Sequence, residues 1–218
     1  MKAEIVSVDA ASARRKLIRR GLILCLLTVV WNVIEGVVAV AAGLAAESIA
    51  LFGFGIDSFV ETASAAVVGL RLHHEWRGRS AEESEGAERL ASRIAGVLLL
   101  LLAAYILVGA GRVLLGYGTE PAPSILGIVL TAVSLLLMPL LGWAKLDTAR
   151  QIQSRALRAD GYESISCAWL SFAVLVGLIL NAAFGWWWMD PLAALALIPL
   201  IVREGLEGWR GESCECHD

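Results

Sequence analysis

The sequence predicts an all-α, polytopic membrane protein with six transmembrane helices and both termini in the cytoplasm. Three observations carry that reading. Of 218 residues, 58% are hydrophobic, and the mean hydropathy is +0.71, far above that of a soluble domain of this length. Six apolar segments are long enough to cross a hydrocarbon core, which takes ~20 residues of helix. Threading them back and forth puts 17 of the 18 Lys and Arg residues on one face, which the positive-inside rule makes cytoplasmic.

The spans are 21–46, 48–72, 95–116, 124–143, 162–183 and 184–202. Lys2, Arg14, Arg15, Lys16, Arg19 and Arg20 precede the first; its apolar run exceeds the ~7–15 residues of a cleaved signal, so it is retained as a span. Arg71, Arg77, Arg79, Arg89 and Arg93 lie between spans two and three. Lys145, Arg150, Arg155 and Arg158 lie between four and five, and Arg203 and Arg210 follow six. The exception, Arg112, is near the outer end of span three and can snorkel. The inner loop 73–93 is expected to prolong span two as a helix, turn near Gly86 and start span three. The outer loops are short. Trp186, Trp187 and Trp188 cluster where spans five and six meet, as interfacial anchors do. Asp190 and Pro191 read as a cap and a first-turn proline, and Gly36, Gly43, Gly53 and Gly55 allow close helix packing. The organisation expected is a basic cytoplasmic segment 1–20, a transmembrane domain 21–202 and a cytoplasmic tail 203–218, too short for a soluble domain. The net charge of -3 combines segregated bases with scattered acids, and suggests no nucleic-acid partner. Cys25 and Cys167 fall in spans, with Cys25 read as packing. Cys214 and Cys216 fall in the tail, where cytoplasmic thiols stay reduced.

Acids inside the spans are the informative departure. A carboxylate at the centre of a spanning helix costs at least ~2.5 kcal/mol on insertion scales, so it normally faces protein or a watery cavity. Asp57 and Glu61 sit near mid-depth of span two, four residues apart and therefore on one helix face. Glu163 and Cys167 repeat that spacing in span five, and Asp160 continues the stripe toward the cytoplasm. Two such helices face to face offer carboxylates and a thiol around one point, a donor set that suits a divalent transition metal in a tetrahedral site. Interhelical hydrogen bonding alone accounts well for a lone Ser or Thr. It accounts poorly for two acid-bearing pairs, since several carboxylates sharing a dry interior need a cation or protons. In span one, Asn32 and Glu35 share a face at similar depth. Glu35 reads equally as a proton carrier or outer ligand, or as the partner of some other donor.

At these residues the chain resembles the cation diffusion facilitator family. The resemblance rests on the order of six spans, SIALFGFGIDSFVET in span two, SRALRADGYES leading into span five and WMDPLAALAL in span six, and covers nearly the whole chain. It implies a metal bound between spans two and five by two residues from each, four apart. The span-two positions fall on Asp57 and Glu61. In span five the family pattern is Ala-Asp, two residues, His, three residues, Asp; Ala159 and Asp160 match, while Glu163 takes the place of the His and Cys167 that of the second Asp. Both replacements can bind metal, so the departure bears on metal preference more than on location. No counterpart of the family's common cytoplasmic metal-binding domain is expected from the short tail after span six, which would leave a homodimer, if formed, to the spans and loops.

The expected function is efflux of a divalent transition metal. A carboxyl group in a dry interior favours its protonated form, whereas an arriving metal needs ionised ligands and expels their protons. Metal and protons then compete for one site, and alternating access turns competition into antiport, an exchange the resemblance implies. Cys167 favours borderline or soft ions, carboxylates harder ones. Zn2+ is the expected substrate, with Co2+, Cd2+, Fe2+ and Mn2+ behind it, and no catalytic cofactor is expected. His73, His74 and Glu75 at the inner mouth, and Cys214, Cys216 and His217 in the tail, are candidates for capturing metal from the cytoplasm. The location implied is a bacterial inner or plasma membrane. Two rivals stand beside transport. A metal sensor or scaffold would bind without moving anything. A membrane metalloenzyme would need an open coordination position and a general base, and no HExxH or similar His cluster occurs in any span.

Overall fold

The computed structural model describes the backbone of residues 2–77 and 85–210, and the side chains of residues 13–77, 93–94 and 96–210. Six helices make up nearly all of it: α1 (Lys2–Ala46), α2 (Ile49–Trp76), α3 (Glu85–Leu114), α4 (Ile125–Ile152), α5 (Arg155–Phe184) and α6 (Met189–Arg210). The described residues contain no strand. Five helices, α1 to α5, are long and apolar enough to cross a membrane. In α6, Asp190 at one end and Arg203 and Glu204 at the other leave a shorter uncharged stretch, 191–202.

The helix ends follow from local chemistry. Ser48, Ser124 and Ser154 stand in extended conformation before α2, α4 and α5, each accepting a bond from the amide three residues on. That is how an N-cap satisfies one of the orphan amides of a helix start. Gln153 and Gly185, both left-handed, close α4 and α5. The turn between α1 and α2 is only two residues long and puts Glu47 at φ 54°. So tight a turn presses the helices together: a Cβ on Gly43 would lie 2.6 Å from the Phe52 nitrogen. Three helix boundaries differ from the sequence expectation. The α1 helix runs back through the basic segment, α4 continues well past Trp143, and Gly86 lies in the first helical turn of α3 rather than in a reverse turn.

The most extensive pairings are α1 with α2, α4 with α5 and α3 with α6. Small residues set the last two. A Cβ on Gly142 would approach the Gly161 carbonyl oxygen to 2.9 Å, and one on Gly96 the Gly205 carbonyl oxygen to 2.6 Å. Backbones meet where no side chain intervenes, the common device for packing helices without a hydrophobic drive between them. Helix α2 touches α1, α3, α5 and α6, which makes it the middle of the bundle.

Contacts at the two ends fix the threading. On one side Arg14 pairs with Glu75 at 2.7 Å and Arg20 with Asp147 at 3.2 Å, so the start of α1 meets the ends of α2 and α4. On the other, the Ala122 amide donates to the Ala46 carbonyl at 2.8 Å and Asn181 donates to the Pro121 carbonyl at 2.7 Å. Successive helices therefore alternate in direction, as the charge pattern requires. Asp190 corrects one expectation. Its carboxylate sits over the beginning of α2, accepting from the amides of Ile49 (3.0 Å) and Ala50 (3.4 Å) and from Ser48 Oγ, so it caps a helix remote in sequence. Pro191 stands in the first turn of α6, and Arg112 is exposed in the last turn of α3. Trp186 and Trp188 stack with ring centroids 5.6 Å apart.

A candidate cation site between α2 and α5

The bundle interior is polar along a continuous depth. The buried face of α1 carries Cys25, Thr28, Asn32 and Glu35; that of α2 carries Asp57, Ser58 and Glu61. Ser134, Lys145 and Thr148 on α4 and Asp160, Ser164, Cys167 and Ser171 on α5 complete it. The α1 and α5 sets repeat at three or four residues, which is why one helix face can hold each of them.

Glu61 is at the centre. Its Oε1 accepts from Ser164 Oγ at 2.9 Å, and the Cys167 thiol stands beside the carboxyl group. Its Oε2 is buried and has no hydrogen-bond partner among the described residues. Asp57, one helical turn away, is also buried, with Glu61 and Glu35 among the carboxyl groups around it. Glu163 is half-buried and turned to α2 one turn beyond Glu61, where its Oε2 accepts from Ser64 Oγ at 2.6 Å. Helices α2 and α5 thus bring Glu61 and Cys167 together, keep Asp57 near them, and hold Glu163 on a separate partner. Among the described residues, no three His, Cys, Asp or Glu side chains converge as they stand closely enough to hold a metal ion.

Asp160 has a different partner from the one its stripe suggested. Lys145 Nζ lies 2.9 Å from Asp160 Oδ2, both side chains fully buried, and the Cys25 thiol donates to the same oxygen at 3.7 Å. Lys145 also donates to Ser164 Oγ at 2.9 Å. Lys145 is therefore an interior residue, not a cytoplasmic loop charge, and comes off the tally of basic residues on the inner surface. The signal was present: Ser134, Met138, Leu141 and Lys145 fall at steps of three or four, and all are buried.

Glu35 does find donors. Ser58 Oγ donates to its Oε2 at 3.1 Å and Ser134 Oγ to its Oε1, while Trp31 Nε1 donates to Ser134 Oγ at 3.2 Å. Asn32 is fully buried with both amide atoms unpartnered among the described residues. At the inner mouth Glu75 is engaged by Arg14, and the His73 ring lies against Trp76 with centroids 6.1 Å apart. Together with His74, these residues form no cluster that could hold a metal. Cys214, Cys216 and His217 lie outside the described residues. The serine hydroxyls at 58, 64, 134 and 164, which supply most of the hydrogen bonds to the carboxylates, were not singled out by the sequence.

A lipid-crossing helical bundle whose middle is lined with carboxylates, hydroxyls and a thiol defines a polytopic membrane protein with a polar intramembrane site. Residues 25–209 match the family model described as the cation efflux transmembrane domain, and the chain belongs to that family, one of cation transporters rather than enzymes. It is 30% identical over 156 residues to an uncharacterized transporter of Synechocystis, covering 69% of this chain and 49% of that protein. It is 29% identical over 170 residues to the magnetosome protein MamB of Paramagnetospirillum magneticum, covering 76% of this chain and 56% of MamB. It is 26% identical over 162 residues to the cation-efflux pump FieF of Shewanella oneidensis, covering 71% of this chain and 53% of FieF. The alignments span about half the length of these relatives.

Proposed function

We propose that this chain exports divalent transition-metal cations, Zn2+ foremost, through an intramembrane site between α2 and α5 formed by Asp57, Glu61, Glu163 and Cys167. The observation that carries the reading is Glu61 Oε2, a carboxylate oxygen buried at mid-bundle, without a partner among the described residues, and beside a thiol. An unpaired anionic oxygen in a dry interior is costly; a proton or a cation relieves that cost. Family membership supplies the reaction class, and FieF is named a cation-efflux pump. Asp57 stands a turn from Glu61 on the same buried face of α2. Glu163 joins the ion by giving up its bond with Ser64. Protons displaced from these carboxyls on metal entry make proton antiport the natural exchange. A homodimer formed through the membrane helices, in a bacterial inner membrane, completes the reading.

A second reading is binding without transport, as in a sensor or scaffold. It is favoured by one observation, the engagement of Glu163 by Ser64, which leaves the donors apart. The separating experiment reconstitutes the purified chain in liposomes with a trapped metal-sensitive dye and imposes a pH gradient. Transport requires proton-dependent Zn2+ movement that Asp57→Ala abolishes. Saturable binding with no flux would establish the second reading instead.

A further inference from the structure

Lys145 is the only lysine or arginine buried among the described residues. Its ammonium bridges two groups on α5, Asp160 Oδ2 and Ser164 Oγ, each at 2.9 Å. Ser164 Oγ in turn lies 2.9 Å from Glu61 Oε1 and 3.1 Å from the Asp160 carbonyl oxygen. A hydroxyl has one proton to give. Lys145 donates to the Ser164 oxygen, so that single proton goes to one of these two acceptors, and only Glu61 belongs to the candidate cation site. Beyond this chain of bonds, Glu61 Oε2 and Asp160 Oδ1 are buried without partners among the described residues.

We propose that Lys145 is a positioning residue of the cation site: it holds Asp160 out of coordination and, through Ser164, fixes Glu61 so that Oε2 is the oxygen offered to the ion. The inference rests on reading Asp57, Glu61, Glu163 and Cys167 as that site. A tethered positive charge one hydroxyl away from a ligand opposes a divalent guest by Coulomb repulsion, little screened in a bundle interior. It also keeps a fourth carboxylate from adding to the attraction of Asp57, Glu61 and Glu163. A carrier must let its cargo go as well as take it, as permeation sites bind weakly enough to release. Lys145 thereby sets affinity low enough for release.

The test measures Zn2+ affinity by calorimetry and the Co2+ visible spectrum on the purified full chain in nanodiscs. Lys145→Met is expected to bind Zn2+ about tenfold tighter or more, as a repulsive charge is lost and Asp160 is freed. Its Co2+ spectrum should change as a further carboxylate oxygen joins the ion. Lys145→Arg should stay within about threefold of the parent, and Lys145→Met/Asp160→Asn should lose the gain and return to about the parent affinity. Parent-like or weaker affinity in Lys145→Met with an unchanged spectrum overturns the inference while leaving the site intact. Should Lys145→Met fail to fold, the double variant decides alone, since it removes both members of the buried ion pair together: parent-like affinity supports the inference, and a loss of about tenfold or more makes Asp160 a ligand and overturns it. Absence of saturable Zn2+ binding in the parent chain overturns the cation-site reading and this inference with it.

Discussion

The carboxylate of Asp190 in α6 closes the first turn of α2, accepting from Ser48 Oγ on one oxygen and from the Ile49 and Ala50 amides on the other. Ser48 itself caps the Leu51 amide at 3.0 Å. The helix that carries Asp57 and Glu61 is therefore tied at its outer end to α6. Asp190→Ala leaves buried donors unsatisfied and should cost at least about 2 kcal/mol, whereas Ser48→Ala should cost about 1 kcal/mol, as for a lost cap. Thermal unfolding of the purified protein in one detergent ranks the two. Equal, negligible shifts would show that the cap does not hold α2.

Lys145 and Asp160 are expected to be expensive to break and cheap to remove together. Replacing Lys145 by Ala strands a buried carboxylate, which should destabilise the protein by about 3–5 kcal/mol. Lys145→Met/Asp160→Asn should recover most of that loss. Denaturation midpoints of the single and double variants make the comparison, and a double variant no more stable than the single would mean that the pair is not the local determinant.

The contact between α4 and α5 depends on Gly142. A Cβ there would meet Ile165 Cγ1 at 2.8 Å and the Gly161 carbonyl oxygen at 2.9 Å, so Gly142→Val should overpack the interface at a cost of about 1–3 kcal/mol. Because Lys145 lies on the same helix one turn further on, the variant should also loosen its contact with Asp160. Accessibility of Cys25, which donates to Asp160, to a thiol reagent should then rise above that of the parent; unchanged labelling would separate packing at Gly142 from the ion pair.

Cys167 should set the rank order of metals. Sulfur favours Cd2+ and Zn2+, oxygen favours Mn2+. Cys167→Ser should weaken Cd2+ more than Mn2+, and Cys167→Asp should move the preference further toward Mn2+. Competition binding with the three ions reads this directly. An unchanged order in both variants would remove Cys167 from the coordination sphere.

The bundle was legible because lipid imposes length, apolarity and charge segregation, and all three are written in the chain. The Gly55–Thr62 and Gly161–Ala168 segments likewise announced their acids by spacing alone, and the structure buries Asp57, Glu61 and Cys167. Lys145 was misread for a physical reason. A charge following Trp143 marks the end of a span when the helix meets water, but α4 runs on inside the bundle and its Lys145 is paired with Asp160, a partner on the next helix. The Asp190 cap was equally hidden, because it joins residues 142 positions apart. The engagement of Glu163 by Ser64 depends on the rotation of α2 against α5, which no single helix pattern encodes.

X-ray absorption at the zinc edge tests the central claim most directly, using full chain loaded with one equivalent of Zn2+ in a Cys214→Ser/Cys216→Ser background so that tail thiols do not contribute. The site between α2 and α5 should give oxygen neighbours together with one sulfur at about 2.3 Å, and Cys167→Ser should remove the sulfur. Tight zinc binding with no sulfur neighbour, unaffected by Cys167→Ser and by Glu61→Gln, would contradict the account.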